Sequence, residues 1–138
     1  LEAGTHNMPG IAGLLEGVRF VRRQGTWSIC RGERRLAALA ARELRRMPGV
    51  QAFAREDLYA QTGVLSFVSG HMDAMSIGAA LAERGIAVRS GLHCAPQAHR
   101  SAGTLESGTV RVSFSAFNTE QEVFRFLEIL ADILQGKS

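Results

Sequence analysis

The chain predicts an α+β fold, a small mixed or antiparallel sheet covered by helices. Three observations point there. From Val110 to Ser115 the residues alternate, with Val110, Val112 and Phe114 on one face and Arg111, Ser113 and Ser115 on the other. That is the two-residue period of a strand with one buried face. Thr119-Glu120-Gln121-Glu122 is a capping box, and Val123, Phe126, Leu127, Leu130 and Leu134 follow it at helical spacing. The order along the chain is helix, helix, strand, strand, helix, short strand, loop, strand, helix, which lacks the regular alternation of a parallel α/β sheet.

The first helix starts near Pro9, since proline suits a first helical turn. Ile11, Leu14, Leu15, Val18 and Val21 form its apolar face, and Gly10, Gly13 and Gly17 a second stripe. Each glycine costs a helix about 1 kcal/mol relative to alanine, so the stripe predicts another backbone packed closely against it. Gly25 ends this helix. The next runs from about Thr26 to Met47, burying Leu36, Leu39, Ala40, Leu44 and Met47, with Cys30 directed into the same stripe as an inert apolar filler. Pro48-Gly49 stops it.

Val50–Ala54 and Val64–Ser69 read as short strands, joined by a polar connection containing Asp57 and Gln61. Asp73 caps a helix that runs to Glu83, with Ala74, Ile77 and Leu81 inward. Gly85 closes it, and Ile86-Ala87-Val88 is a brief strand.

At 138 residues, 1–138 is expected to be a single domain with a real core. No apolar run approaches the ~18–20 residues of a membrane span, and no basic-then-apolar start suggests a signal peptide. The chain opens at Leu1 and its first methionine is Met8, as expected of a piece of a longer protein. Two cysteines make no disulfide framework, which points to a reducing, cytoplasmic setting. Net charge is +3, and Arg31, Arg34, Arg35, Arg42, Arg45 and Arg46 gather in one segment. Interleaved aromatics would suit nucleic acid, but only Trp27 is near, so a solvated helix face is the expectation and neither nucleic acid nor membrane is an expected partner.

Cys94 is the strongest candidate for chemistry. It follows a strand, in a loop opened by Gly91 and closed by Pro96, with His93 adjacent and Arg89 and Arg100 near in sequence. Positive neighbours enrich the nucleophilic thiolate. A metal site would need more ligands than His93, Cys94 and His99 supply, and none is expected. A protease-like Cys/His pair lacks an identifiable orienting group. Arg111, between serines on the polar face of its strand, suits a carboxylate; a salt bridge to an acidic residue is the alternative. Gly4 and Thr5, ahead of a helix start, suit a phosphate, or form a plain helix-entry turn.

Glu2-Ala3-Gly4-Thr5, the run Gly85-Ile86-Ala87-Val88-Arg89-Ser90-Gly91-Leu92-His93-Cys94-Ala95-Pro96, Val110-Arg111-Val112-Ser113 and Phe117-Asn118-Thr119-Glu120-Gln121-Glu122 occur in one order. Together they resemble the C-terminal portion of a class V aminotransferase-fold enzyme, the group of cysteine desulfurases and selenocysteine lyases. The resemblance implies the C-terminal small domain of a dimeric fold type I enzyme that uses pyridoxal phosphate. It matches Cys94 to the nucleophile that takes sulfur as a persulfide and leaves alanine. Arg111 matches the binder of the substrate α-carboxylate, Arg89 a second arginine near the substrate, and Gly4 and Thr5 the turn that reaches the cofactor phosphate of the partner subunit. It further implies an amino-acid substrate, a sulfur-acceptor protein and a homodimer for the full-length enzyme. The family's cofactor lysine belongs to its large domain; here the only lysine is Lys137, one residue from the C-terminus. The isolated chain is therefore expected to be inactive. Leu92 stands where many desulfurases have histidine, and Gly103–Thr109 differs from their usual stretch. A class V aminotransferase or other lyase domain in which Cys94 is not essential, or a stand-alone interaction module, are the alternatives.

Overall fold

The structure, a computed structural model, describes residues 4–55, 57 and 60–136. Nine elements follow one another: α1 (Met8–Gln24), α2 (Thr26–Leu44), β1 (Val50–Phe53), β2 (Val64–Ser69), α3 (Ala74–Glu83), β3 (Arg89–Gly91), α4 (Pro96–Ala102), β4 (Thr109–Ser113) and α5 (Glu120–Leu134). The four strands form one antiparallel sheet in the order β1-β2-β4-β3. The α+β expectation holds, and its antiparallel form is the one adopted.

Strand alternation decides where the helices lie. Leu65 and Phe67 of β2 and Val110 and Val112 of β4 are buried, and they join Leu36, Leu44, Ile77, Leu81 and Leu130 in one core. Each such side chain contributes about 1.5–3 kcal/mol on burial. Phe126 of α5 tilts against Phe67 with ring centroids 6.2 Å apart. The alternate residues Ser66 and Arg111, Cα partners across β2 and β4, point to the opposite face of the sheet.

The caps behave as the sequence predicts. Thr119 accepts from the Glu122 amide while the Glu122 carboxylate accepts from the Thr119 amide, a complete capping box. Asp73 accepts from the Met75 and Ser76 amides at the start of α3. A further cap, which the sequence reading does not name, comes from Asn7, whose side chain accepts from Gly10 N–H at α1.

Several expectations are corrected. The brief strand is Arg89–Gly91, not Ile86–Val88, because Arg89, Ser90 and Gly91 are the residues paired with Arg111, Val110 and Thr109. Ile86 and Val88 instead pack partly buried against the core as the chain leaves α3. The segment after Cys94 is not all loop: Pro96 opens α4, which Gly103 closes in the left-handed conformation. Helix α2 stops at Leu44, and β4 covers Thr109–Ser113, with Phe114 N–H bonded instead to Gly63 O. Cys30 is only half-buried. Most plainly, α1 buries nothing: Ile11 is 51% and Leu14 69% exposed, and nothing lies within 4 Å of where a Cβ would stand on Gly13 or Gly17. The predicted backbone neighbour of that glycine stripe is not in this chain's described residues.

Candidate active site

Four residues join β3 to α4: Leu92, His93, Cys94 and Ala95. Ala95 N–H donates to Leu92 O at 2.9 Å, so they form a β-turn with His93 and Cys94 at its centre. Both central residues have positive φ, 50° and 58°, and they are the only non-glycine residues described that do. Such turns normally take Asn-Gly or Gly-Gly. Placing two side-chain-bearing residues there costs of order 1 kcal/mol each, and Cys94 sits exposed at the tip.

The turn is held from below. His93 Nε2 lies 3.2 Å from Thr109 O and 3.2 Å from Thr109 Oγ1. Its ring is 5.8 Å from that of His99, a buried α4 residue whose Nδ1 pairs with Thr104 Oγ1 at 2.8 Å. Gly108 completes the support: its φ is +62°, and a Cβ there would come within 2.8 Å of Gly91 Cα. Only glycine allows those two backbones to approach so closely. Burial, followed by the charge of Arg111, holds the His93 imidazole below its ordinary pKa.

Arg89 and Arg111 face each other across β3 and β4 as direct Cα partners. Like charges placed opposite in a sheet are destabilising, yet no ion pair among the described residues includes either one. Arg111 Nε is buried without a hydrogen-bond partner. A buried donor left unsatisfied in a native structure calls for an explanation, and an anion between two guanidinium groups supplies one. The salt-bridge alternative for Arg111 finds no support among the described residues.

The structure therefore gathers Cys94, Arg89 and Arg111 around β3 and β4. Gly4 and Thr5 are exposed ahead of α1, and no hydrogen bond described links them to those strands. Glu2 and Ala3 of the same motif, and Lys137, lie outside the described residues. Thr109, Gly108 and the His99–Thr104 pair were not anticipated; the signal available was the glycine bracketing of 103–108. Nor was Gln61, which is buried and accepts from Arg55 N–H while donating to Val64 O.

The arginine segment of α2 and the turn after it is mostly occupied. Arg34 donates to Gln61 O and Arg45 to Ala54 O; Arg35 pairs with Glu120, and Arg42 and Arg46 with Glu43. A groove of about 780 Å³ runs beside it, lined by Trp27, Leu39 and Phe124 among others, but none of its lining residues belongs to the Cys94 turn, β3 or β4.

The sheet and the turn define a class, and similarity to known proteins names it. Residues 1–126 match the family model described as aminotransferase class-V, and the chain belongs to that family. Within it, the chain is 40% identical over 98% of its length to a probable cysteine desulfurase of Mycolicibacterium paratuberculosis, covering 19% of that protein. Among solved structures it is similar to the apo cysteine desulfurase of Thermococcus onnurineus NA1, at 34% identity and TM-score 0.86, with 98% of this chain and 33% of that one covered. It is also similar to the cysteine desulfurase CsdA of Escherichia coli, solved in an S-sulfonic acid form, at 30% identity and TM-score 0.84, covering 100% and 33%. The chain thus spans about a fifth to a third of the length of these relatives. Among the described residues no helix is long and apolar enough to cross a membrane.

Proposed function

We propose that this chain is the C-terminal small domain of a pyridoxal-phosphate-dependent cysteine desulfurase, in which Cys94 removes sulfur from L-cysteine and L-alanine is released. The observation that carries the reading is the pairing of an exposed thiol on a positive-φ turn with two unpaired arginines in adjacent strands.

Arg111, with its free buried Nε, binds the substrate α-carboxylate, and Arg89 adds a second positive charge on the same side. This fixes one end of the amino acid and orients the other toward the turn. When bound, pyridoxal phosphate supplies the electron withdrawal that lets sulfur leave carbon. The Cys94 thiolate forms an S–S bond to the substrate sulfur as the C–S bond breaks. The electron pair of that bond stays with carbon, a proton takes the place of sulfur there, and alanine departs. Cys94 is left as a persulfide, ready for a sulfur-acceptor protein. Gly4 and Thr5, exposed before the N-terminus of α1, suit the cofactor phosphate, here assigned to the partner subunit of a homodimer. The Schiff-base lysine has no candidate among the described residues, so the large domain of the full-length enzyme would provide it. Two free cysteines suit a reducing, cytoplasmic setting.

The test is alanine release from L-cysteine by the full-length parent, wild type beside Cys94→Ala. The reading expects alanine from the wild type and loss of turnover in the variant. Turnover that survives the substitution would transfer the chain to an aminotransferase or another lyase in which the cysteine turn is inherited scaffold.

A further inference from the structure

We infer that His93 is a positioning residue: through Thr109 it clamps the Leu92–Ala95 turn in the conformation that presents Cys94. The inference relies on the desulfurase reading for what the thiol attacks, and on the geometry alone for how the thiol is held.

The turn needs a clamp. Its two central positions carry His and Cys where glycine or asparagine is the ordinary choice. Left to local preference, such a sequence relaxes to a turn with negative φ at both positions, which redirects both side chains. Strained backbone persists only where its surroundings over-determine it. At the exposed Cys94 tip no side-chain hydrogen bond is described. The constraint falls on His93, whose Nε2 reaches both the carbonyl and the hydroxyl of Thr109. A carbonyl only accepts, so Nε2 carries the proton and donates.

Thr109 is a firm anchor. It is buried, it is the first residue of β4, and it pairs with Gly91 at the end of β3. The clamp therefore ties the turn to the same strand that, two residues on, presents Arg111. Thiol and carboxylate binder share one rigid support, so the distance from Cys94 to a substrate held by Arg111 is fixed by β4. The His99 ring, itself held by its bond to Thr104 Oγ1, lies 5.8 Å from the His93 ring.

Two substitutions separate this role from simple packing. His93→Leu keeps bulk and removes the donor; His93→Gln keeps an N–H at comparable reach. Both are made in the full-length parent on a Cys30→Ser background. Cys94 alkylation by iodoacetamide, kcat and KM for alanine release, and melting temperature are measured. We expect His93→Leu to lower kcat about tenfold to a hundredfold, as a displaced reacting group does, with KM within about twofold because both arginines remain. His93→Gln should recover most of that loss, and the alkylation rate should follow the same order. If the two variants lose kcat equally, in step with melting temperature, His93 is only a packing residue and the inference fails. If the wild type releases no alanine, the desulfurase reading fails, and alkylation still decides the clamp: a changed rate in His93→Leu restored by His93→Gln upholds it, and equal rates in all three overturn it.

Discussion

Helices α1 and α5 carry the same signature and meet opposite fates. Both are amphipathic, begin with a side-chain cap and show an apolar stripe at helical spacing. Helix α5 buries Val123, Phe126, Leu127, Leu130 and Ile133; α1 buries none of its residues. The stripe determines that a helix has an apolar side, while what covers that side is a property of the neighbours. For α5 the cover is the sheet, α2 and α3. Helix α1 touches the neighbouring α2 and stacks Phe20 on Phe117, with centroids 5.0 Å apart, and its stripe stays bare. The relatives are three to five times longer, and among this chain's described residues nothing covers the stripe.

The difference can be broken by substitution. Leu130→Ala in α5 should cost about 2–5 kcal/mol in denaturant unfolding, because it empties a fully buried site. Leu14→Ala in α1 should stay within about 0.5 kcal/mol for this chain, as surface changes do; equal losses would mean α1 is covered after all. Between these lies Gly108→Ala, with an expected loss of about 1–3 kcal/mol, since it adds a Cβ at positive φ against Gly91. Its readout is unfolding together with faster proteolysis near the Cys94 turn.

The caps sharpen the comparison further. Thr119→Ala should remove about 1 kcal/mol by breaking the box that starts a core helix. Asn7→Ala should change global unfolding less, showing instead as lost helicity by circular dichroism, because α1 contributes no buried residue.

The smallest expected effect is on pH dependence. The folded His93 pKa lies below its unfolded value, chiefly through burial, then the charge of Arg111, with His99 and Arg89 acting in the same direction. The unfolded state therefore binds more protons as pH falls, and stability declines as pH drops from about 6.5, the ordinary histidine value, toward the depressed folded one. His93→Leu should flatten that part of a stability–pH curve. A separate loss belongs to carboxylates. Glu122, held low by the Thr119 amide and then the Asn118 side chain, and Asp73, held low first by the Ser76 hydroxyl, support folding above the ordinary carboxylate range. That support is lost as pH falls through their depressed values.

Most of the architecture was legible in the sequence because its signals are local: the alternation of 110–115, the Thr119 box, the Asp73 cap and the breaks at Gly25 and Pro48. What escaped was set by pairing across distance. Ile86–Val88 has the composition of a strand, yet register with β4 put the strand three residues later. Pro96 has the sequence marks of a loop closure, yet it opens a helix of seven residues. At the site, Cys94 and Arg111 stood out by chemistry and by family resemblance. The Thr109 clamp did not, because a threonine at a strand start carries no mark of what docks against it.

Gly25 is at once the C-cap of α1 and the N-cap of α2, a single residue with φ 80° and ψ 129° between two helices. Two torsion angles thus aim a rod of 17 residues, about 25 Å long at 1.5 Å per residue. The Phe20–Phe117 stack grips that rod close to the fulcrum, within two turns of Gly25. By leverage alone, a 10° change at the joint would carry the Gly4–Thr5 end through about 4 Å. Where the start of α1 stands relative to the core is thus a matter of one glycine's angular tolerance, magnified by the length of the helix.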